Sequence, residues 1–149
     1  MAIIYFPEMA SIKQALLPTL DRLHAAIADD LDVQAIAQCW INAFSQFAQA
    51  GDADGLSNLF IDDAFWRDML AITWNFRTFY GKERIQKFLV DRLAQANISS
   101  VEINVASMEL QRSFPDLAWV QSFFKFEMPF GYASGIVRLV PTAAGDWKT

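Results

Sequence analysis

The carboxylate with the most chemical promise is Asp68. It stands in Phe65-Trp66-Arg67-Asp68-Met69-Leu70, and Arg77 follows in Trp74-Asn75-Phe76-Arg77-Thr78-Phe79-Tyr80-Gly81. Apolar walls holding a few charged groups are what a small-molecule pocket needs. An Asp68 facing such a pocket, with Trp66 and Leu70 beside it, would be partly desolvated, the setting that suits a general base. The competing reading is an ion pair with Arg77 or Arg67 that ties two short strands together. The other reactive side chains offer less. His24 is the single histidine and reads as an exposed or half-buried helix residue. Cys39 reads as a small buried hydrophobe beside Trp40, with no basic partner to make it a nucleophile. No His/Cys/Asp cluster has metal-ligand spacing, so no metal is expected.

The elements around this stretch follow from periodicity. The 31 N-terminal residues carry Pro7 and Pro18, with Leu20, Leu23, Ala26 and Ile27 at helical spacing, and read as an arm packed on the domain. Residues 32–149 form the domain itself. Asp32 can cap a helix in which Val33, Ile36, Ala37, Trp40, Ile41, Phe44 and Phe47 share one face, and Gly51 can stop it. A short helix carries Leu56, Leu59 and Phe60 inward. Two short strands follow, with Trp66, Asp68 and Leu70 on one side of the first. Ile85, Phe88, Leu89 and Leu93 predict a helix over residues 82–96, ended by Asn97. From Ile98 the period becomes two and runs to about Gln111. After a turn at Pro115-Asp116, a long strand covers residues 119–128. Pro129-Phe130-Gly131 and Gly135 interrupt it, and it resumes at residues 136–140.

Helices first and antiparallel strands afterwards predict a single α+β domain, with a curved sheet wrapped around the helices. On the long strand, Trp119, Gln121 and Phe123 share one side and Val120, Ser122 and Phe124 the other. Period two alone does not say which side faces the helices. We place Trp119 and Phe123 among the pocket residues, with Trp40, Phe44, Trp66, Trp74, Phe76 and Arg77.

Composition narrows the partners. With 149 residues, 54% of them hydrophobic, and with 13 Phe and 5 Trp, the chain can bury one sizeable core and keep apolar surface for a ligand or a partner. A net charge of −5 argues against nucleic acid and against an anionic membrane. No apolar run is long enough to span a bilayer, and the N-terminus is not a secretory signal. One cysteine cannot form an internal disulfide, which fits a reducing, cytoplasmic setting.

This order of elements resembles the NTF2-like superfamily, which includes nuclear transport factor 2, ketosteroid isomerases, scytalone dehydratase and polyketide cyclases. The resemblance implies an NTF2-like cone. Gly51-Asp52, Leu59-Phe60, Asp63, the Phe65–Asp68 run, Thr73-Trp74, Phe76-Arg77-Thr78 and Gly81 are similar to the N-terminal NTF2-like domain of fungal flavin-containing monooxygenase-like proteins. The Trp40 helix, Val137-Arg138-Leu139 and Gly145-Asp146-Trp147-Lys148 also fit. That likeness implies an accessory or dimerisation domain of an FAD- and NADPH-dependent oxidoreductase. Its partner would be a second copy or a flavin-binding domain. No Gly-x-Gly-x-x-Gly is present, so no cofactor is expected on this chain. In ketosteroid isomerases a catalytic aspartate occupies the strand corresponding to Asp68. The resemblance therefore also implies a stand-alone isomerase, cyclase or dehydratase acting on a small apolar molecule, although the core lacks the histidines of scytalone dehydratase. A closing strand is expected after the Gly145-Asp146-Trp147-Lys148 turn. The chain supplies only its first residues, which predicts a fragment with an unpaired sheet edge beside residues 136–140.

Overall fold

The structure, a computed structural model, describes residues 15–149. Pro7 and the start of the expected arm lie outside the described residues. Within them the arm contributes one helical turn, α1 (Leu20–Leu23), docked by the Leu20 and Asp21 amides on Asp116. Arg22 fixes it further through an ion pair with Asp63 at 2.8 Å.

The main helix α2 (Val33–Ala50) has the expected bounds. The Asp32 side chain accepts from the Ala35 amide, and Gly51 closes the helix in the left-handed conformation, at φ 67°. Its buried stripe is Ala37, Trp40, Ile41, Phe44 and Ala48. Cys39 lies on the opposite face and is exposed, which corrects the buried reading. The short α3 (Ala53–Ser57) leads to β1 (Phe65–Met69) and β2 (Phe76–Tyr80), which pair antiparallel. Helix α4 (Lys82–Ala96) buries Ile85, Phe88, Leu89 and Leu93, and Asn97 ends it in the left-handed region.

The larger sheet runs β3 (Ser100–Ile103), β5 (Leu117–Met128), β6 (Gly131–Pro141), β7 (Trp147–Lys148), all antiparallel, with β4 (Glu109–Phe114) also paired to β5. β3 and β4 lie end to end along one edge of β5. The strand predicted to continue to Gln111 is therefore broken, by a 3-10 turn at Val105–Ser107. The Ser107 hydroxyl accepts from the Phe123 amide at 2.9 Å, so the break leaves no orphaned donor there. Conversely, Gly135 does not interrupt β6, which is continuous from Gly131. The last strand is present as two residues paired with Val140 and Pro141, and Thr149 exchanges backbone hydrogen bonds with Leu59 and Ile61. The rest of the outer edge of β6 has no strand partner among the described residues.

The sheet curves over α2. Val120, Ser122, Phe124 and Phe126 of β5 are buried beneath the helices, while Phe123 and Lys125 face outward. Phe44 stacks on Trp40 at 5.1 Å and meets Phe124 edge-on at 5.5 Å. The far end of the Phe124 ring lies against Gly135, so close that a Cβ there would collide with it. That contact explains why β6 carries a glycine in mid-strand.

Gly135→Ala should cost about 1–3 kcal/mol by forcing Phe124 off its site, read as a lowered urea midpoint. A second outcome concerns the β6–β7 turn. The Thr142 hydroxyl, which donates to Asp146, and then Lys148, hold the Asp146 carboxyl below its ordinary value against the opposing effect of burial. Its contribution is complete above about pH 4 and is lost as pH falls through the lower folded value. Thr142→Val should flatten the acid side of the melting-temperature profile.

Candidate functional site

Alternation in the β1–β2 hairpin puts Trp66, Asp68, Arg77 and Phe79 on one face, and Phe65, Arg67, Met69, Phe76, Thr78 and Tyr80 on the other. The first face is turned to the core: Phe79 stacks on Phe88 of α4 at 4.4 Å, and Trp66 meets Phe60 at 5.9 Å. The second face is open, with Phe76 72% exposed.

Asp68 is 1% exposed. Its Oδ1 accepts from the amides of Ala71 and Ile72 at 3.1 and 2.8 Å. Its Oδ2 accepts from the Thr73 amide at 2.8 Å and the Thr73 hydroxyl at 2.5 Å. A carboxylate offers about four acceptor positions, and all are taken. Neither Arg67 nor Arg77 pairs with it: among the described residues the ion pairs are Arg22–Asp63 and Lys148–Asp146. The ion-pair reading is thus corrected. Asp68 satisfies the amides of the loop at 70–75, which leaves β1 through Leu70 in the left-handed region, at φ 61°. Leu70 therefore does not continue the inner face of β1; it is exposed, and its amide bonds the Asn75 carbonyl.

The loop separates two hollows, and Ala71 and Ile72 line both. The inner cavity, about 130 Å³, lies between α2 and the sheet, under Trp40, Phe44, Trp66, Asp68, Phe124 and Phe126. The Trp66 Nε1–H is buried with no acceptor. The outer cleft, about 430 Å³, opens between the loop, the end of α4 and the β5–β6 turn.

Three of the predicted pocket residues, Trp40, Phe44 and Trp66, line the inner cavity. Trp74 and Arg77 line the outer cleft instead. Phe76 is on the open face of the hairpin, and Trp119 and Phe123 are on the convex side of β5; none of these three lines either hollow. Phe124 and Phe126 were missed, although a signal existed. Gln121, Lys125 and Glu127 all share the side of Trp119 and Phe123, and that polar content marks the outward face. His24 is exposed at the end of α1. No group of metal-ligating side chains is present among the described residues, and no helix there is long and apolar enough to cross a membrane.

Helices cupped in a bent antiparallel sheet, with a cavity between them, define an α+β cone. No protein-family model matches the chain, and no curated protein matches it in sequence. Solved structures do. A Mycobacterium tuberculosis protein of unknown function is 14% identical with a TM-score of 0.56; the match covers 76% of this chain but only 65% of that one, just under two thirds. A ketosteroid isomerase-like protein from Erwinia carotovora atroseptica is 15% identical with a TM-score of 0.53, covering 79% of this chain and 91% of that one. An NTF2-like protein with a cystatin-like fold from Novosphingobium aromaticivorans is 16% identical with a TM-score of 0.53, covering 78% and 77%. The chain therefore has the fold of NTF2-like and ketosteroid isomerase-like proteins.

If Asp68 is the tie of the 70–75 loop, Asp68→Ala should lower stability by about 2–3 kcal/mol, the scale of lost hydrogen bonds to a charged group. Amide exchange at Ala71, Ile72 and Thr73 should accelerate well beyond that of α4.

Proposed function

We propose that the chain is a small-molecule-binding NTF2-like domain, acting as an accessory part of a flavin-dependent oxidoreductase rather than through a base of its own. The observation that carries this reading is the contrast between Asp68 and Trp66 in one cavity. The carboxylate has its acceptor positions filled by the loop, whereas the indole N–H has none of its bonding satisfied. Such a site binds by shape and one donated hydrogen bond; it does not lift a proton. Its size sets the ligand. A cavity of about 150 Å³ accommodates one benzene, so this one suits a single ring bearing an acceptor oxygen.

The accessory role rests on the likeness of residues 51–81 to the N-terminal domain of fungal flavin-containing monooxygenase-like proteins. FAD and NADPH would bind elsewhere in such a protein. The partner, a flavin-binding domain or a second copy, would pack on the convex face, where Phe123 and Ile136 oppose each other in register and are both exposed.

One observation favours a second reading. Asp68 lines the cavity and is almost fully buried, as a general base in an isomerase, cyclase or dehydratase would be. For that chemistry the 70–75 loop would have to release one carboxylate oxygen.

A single-ring ketone such as 2-cyclohexenone separates the two. Ligand-observed NMR should show saturable binding, weakened several-fold in Trp66→Phe, with no deuterium entering from D₂O beside the carbonyl above the buffer rate. Deuterium uptake that vanishes in Asp68→Asn would transfer the assignment to the second reading.

A further inference from the structure

We propose that the outer cleft is a separate binding site for an organic anion with an aromatic body, a carboxylate or sulfonate held by Arg77 and Arg92. This goes beyond the inner cavity, where the proposed ligand is a neutral single ring that accepts from Trp66. The cleft's volume, about 430 Å³, falls within the usual range for small-molecule sites. Its walls include Trp74, Phe130 and Tyr132, with Arg77 and Arg92 on the same cleft and no Asp or Glu among the lining residues.

Two features set this apart from a solvated surface. First, Arg77 stands on the inner face of the hairpin, where Trp66, Asp68 and Phe79 are all covered, yet it is exposed because the cleft lies in front of it. Its cross-strand neighbour is Asp68, but that carboxylate is turned to the loop and does not neutralise it. Second, Arg92 has only a neutral partner, donating to Gln95 Oε1 at 3.3 Å. Two guanidinium groups without an ion pair thus share one cleft whose lining holds no carboxylate.

The chemistry of the ligand follows from the groups. A guanidinium presents paired N–H donors that match a carboxylate or sulfonate. Trp74, 85% exposed, Phe130, 92% exposed, and Tyr132, 79% exposed, offer flat faces for a ring system. Such exposed aromatics gain most from a planar apolar partner, and the arginines supply the sign selection that stacking alone lacks.

The test uses 1-anilinonaphthalene-8-sulfonate and its uncharged counterpart N-phenyl-1-naphthylamine, titrated by fluorescence into the full chain at low salt. The sulfonate should bind saturably. The double variant Arg77→Gln/Arg92→Gln should weaken it by about tenfold or more, the scale of one charged hydrogen bond, and leave the uncharged dye unchanged. Arg112→Gln, on the exposed part of β4, should have no effect. On the unaltered chain, 2-naphthoate should displace the sulfonate dye and 2-naphthol should not, which keeps the test decisive even if the double variant folds poorly. Absent or non-saturable sulfonate binding, equal displacement by 2-naphthol, or a well-folded double variant that binds as before would overturn the assignment. None of these outcomes bears on Trp66, so the inner-cavity reading stands or falls separately.

Discussion

The structure around both hollows depends on one buried carboxylate. Asp68 takes up three backbone N–H groups and a hydroxyl from the loop at 70–75, which could not otherwise turn inward without stranding those donors. Leu70 enters the left-handed region at the start of that loop. For a residue of its type this costs about 1–2 kcal/mol, which hydrogen bonds to an ionised acceptor readily offset. The folded loop then becomes the wall between the inner cavity and the outer cleft. The Asp68 carboxylate is thus committed to the architecture of its own loop.

The same economy of polar groups recurs across the sheet. The break between β3 and β4 would expose the Phe123 amide, and Ser107 accepts from it; Ser107 also lies 3.2 Å from the hydroxyl of the fully buried Ser122. The bend this allows lets the sheet curve over α2. The mid-strand Gly135 makes room for Phe124 to lie against Phe44 and close the cone. Cavity size is set by these aromatic contacts. A cone packed with Trp40, Phe44, Phe124 and Phe126 keeps only a one-ring hollow, smaller than the several hundred Å³ that are usual for such ligands.

Shape and charge distinguish the two hollows and the convex face. The inner cavity is walled mainly by aromatic rings and holds the unpartnered Trp66 indole N–H, whereas the outer cleft combines aromatic faces with two arginines. The convex side of the sheet is apolar along Phe123 and Ile136 and carries a Gln121–Arg138 hydrogen bond beside them.

Local rules reached far in this chain. Helical spacing gave the phases of α2 and α4, and Asp32, Gly51 and Asn97 marked their ends, because capping and periodicity act within a few residues. The pairing of the two short strands and the α+β order were legible for the same reason. What alternation could not supply was the direction of each face. It fixed that Trp119 and Phe123 share a side, and that Phe76 and Arg77 are on opposite sides, but covering a face requires contact with segments far away in the chain. Packing against α2 selected Phe124 over Phe123. The cleft, not the core, received Trp74 and Arg77. The role of Asp68 followed from which donors reached it first: those of its own loop are three to five residues away, whereas a substrate or an arginine would have had to displace them.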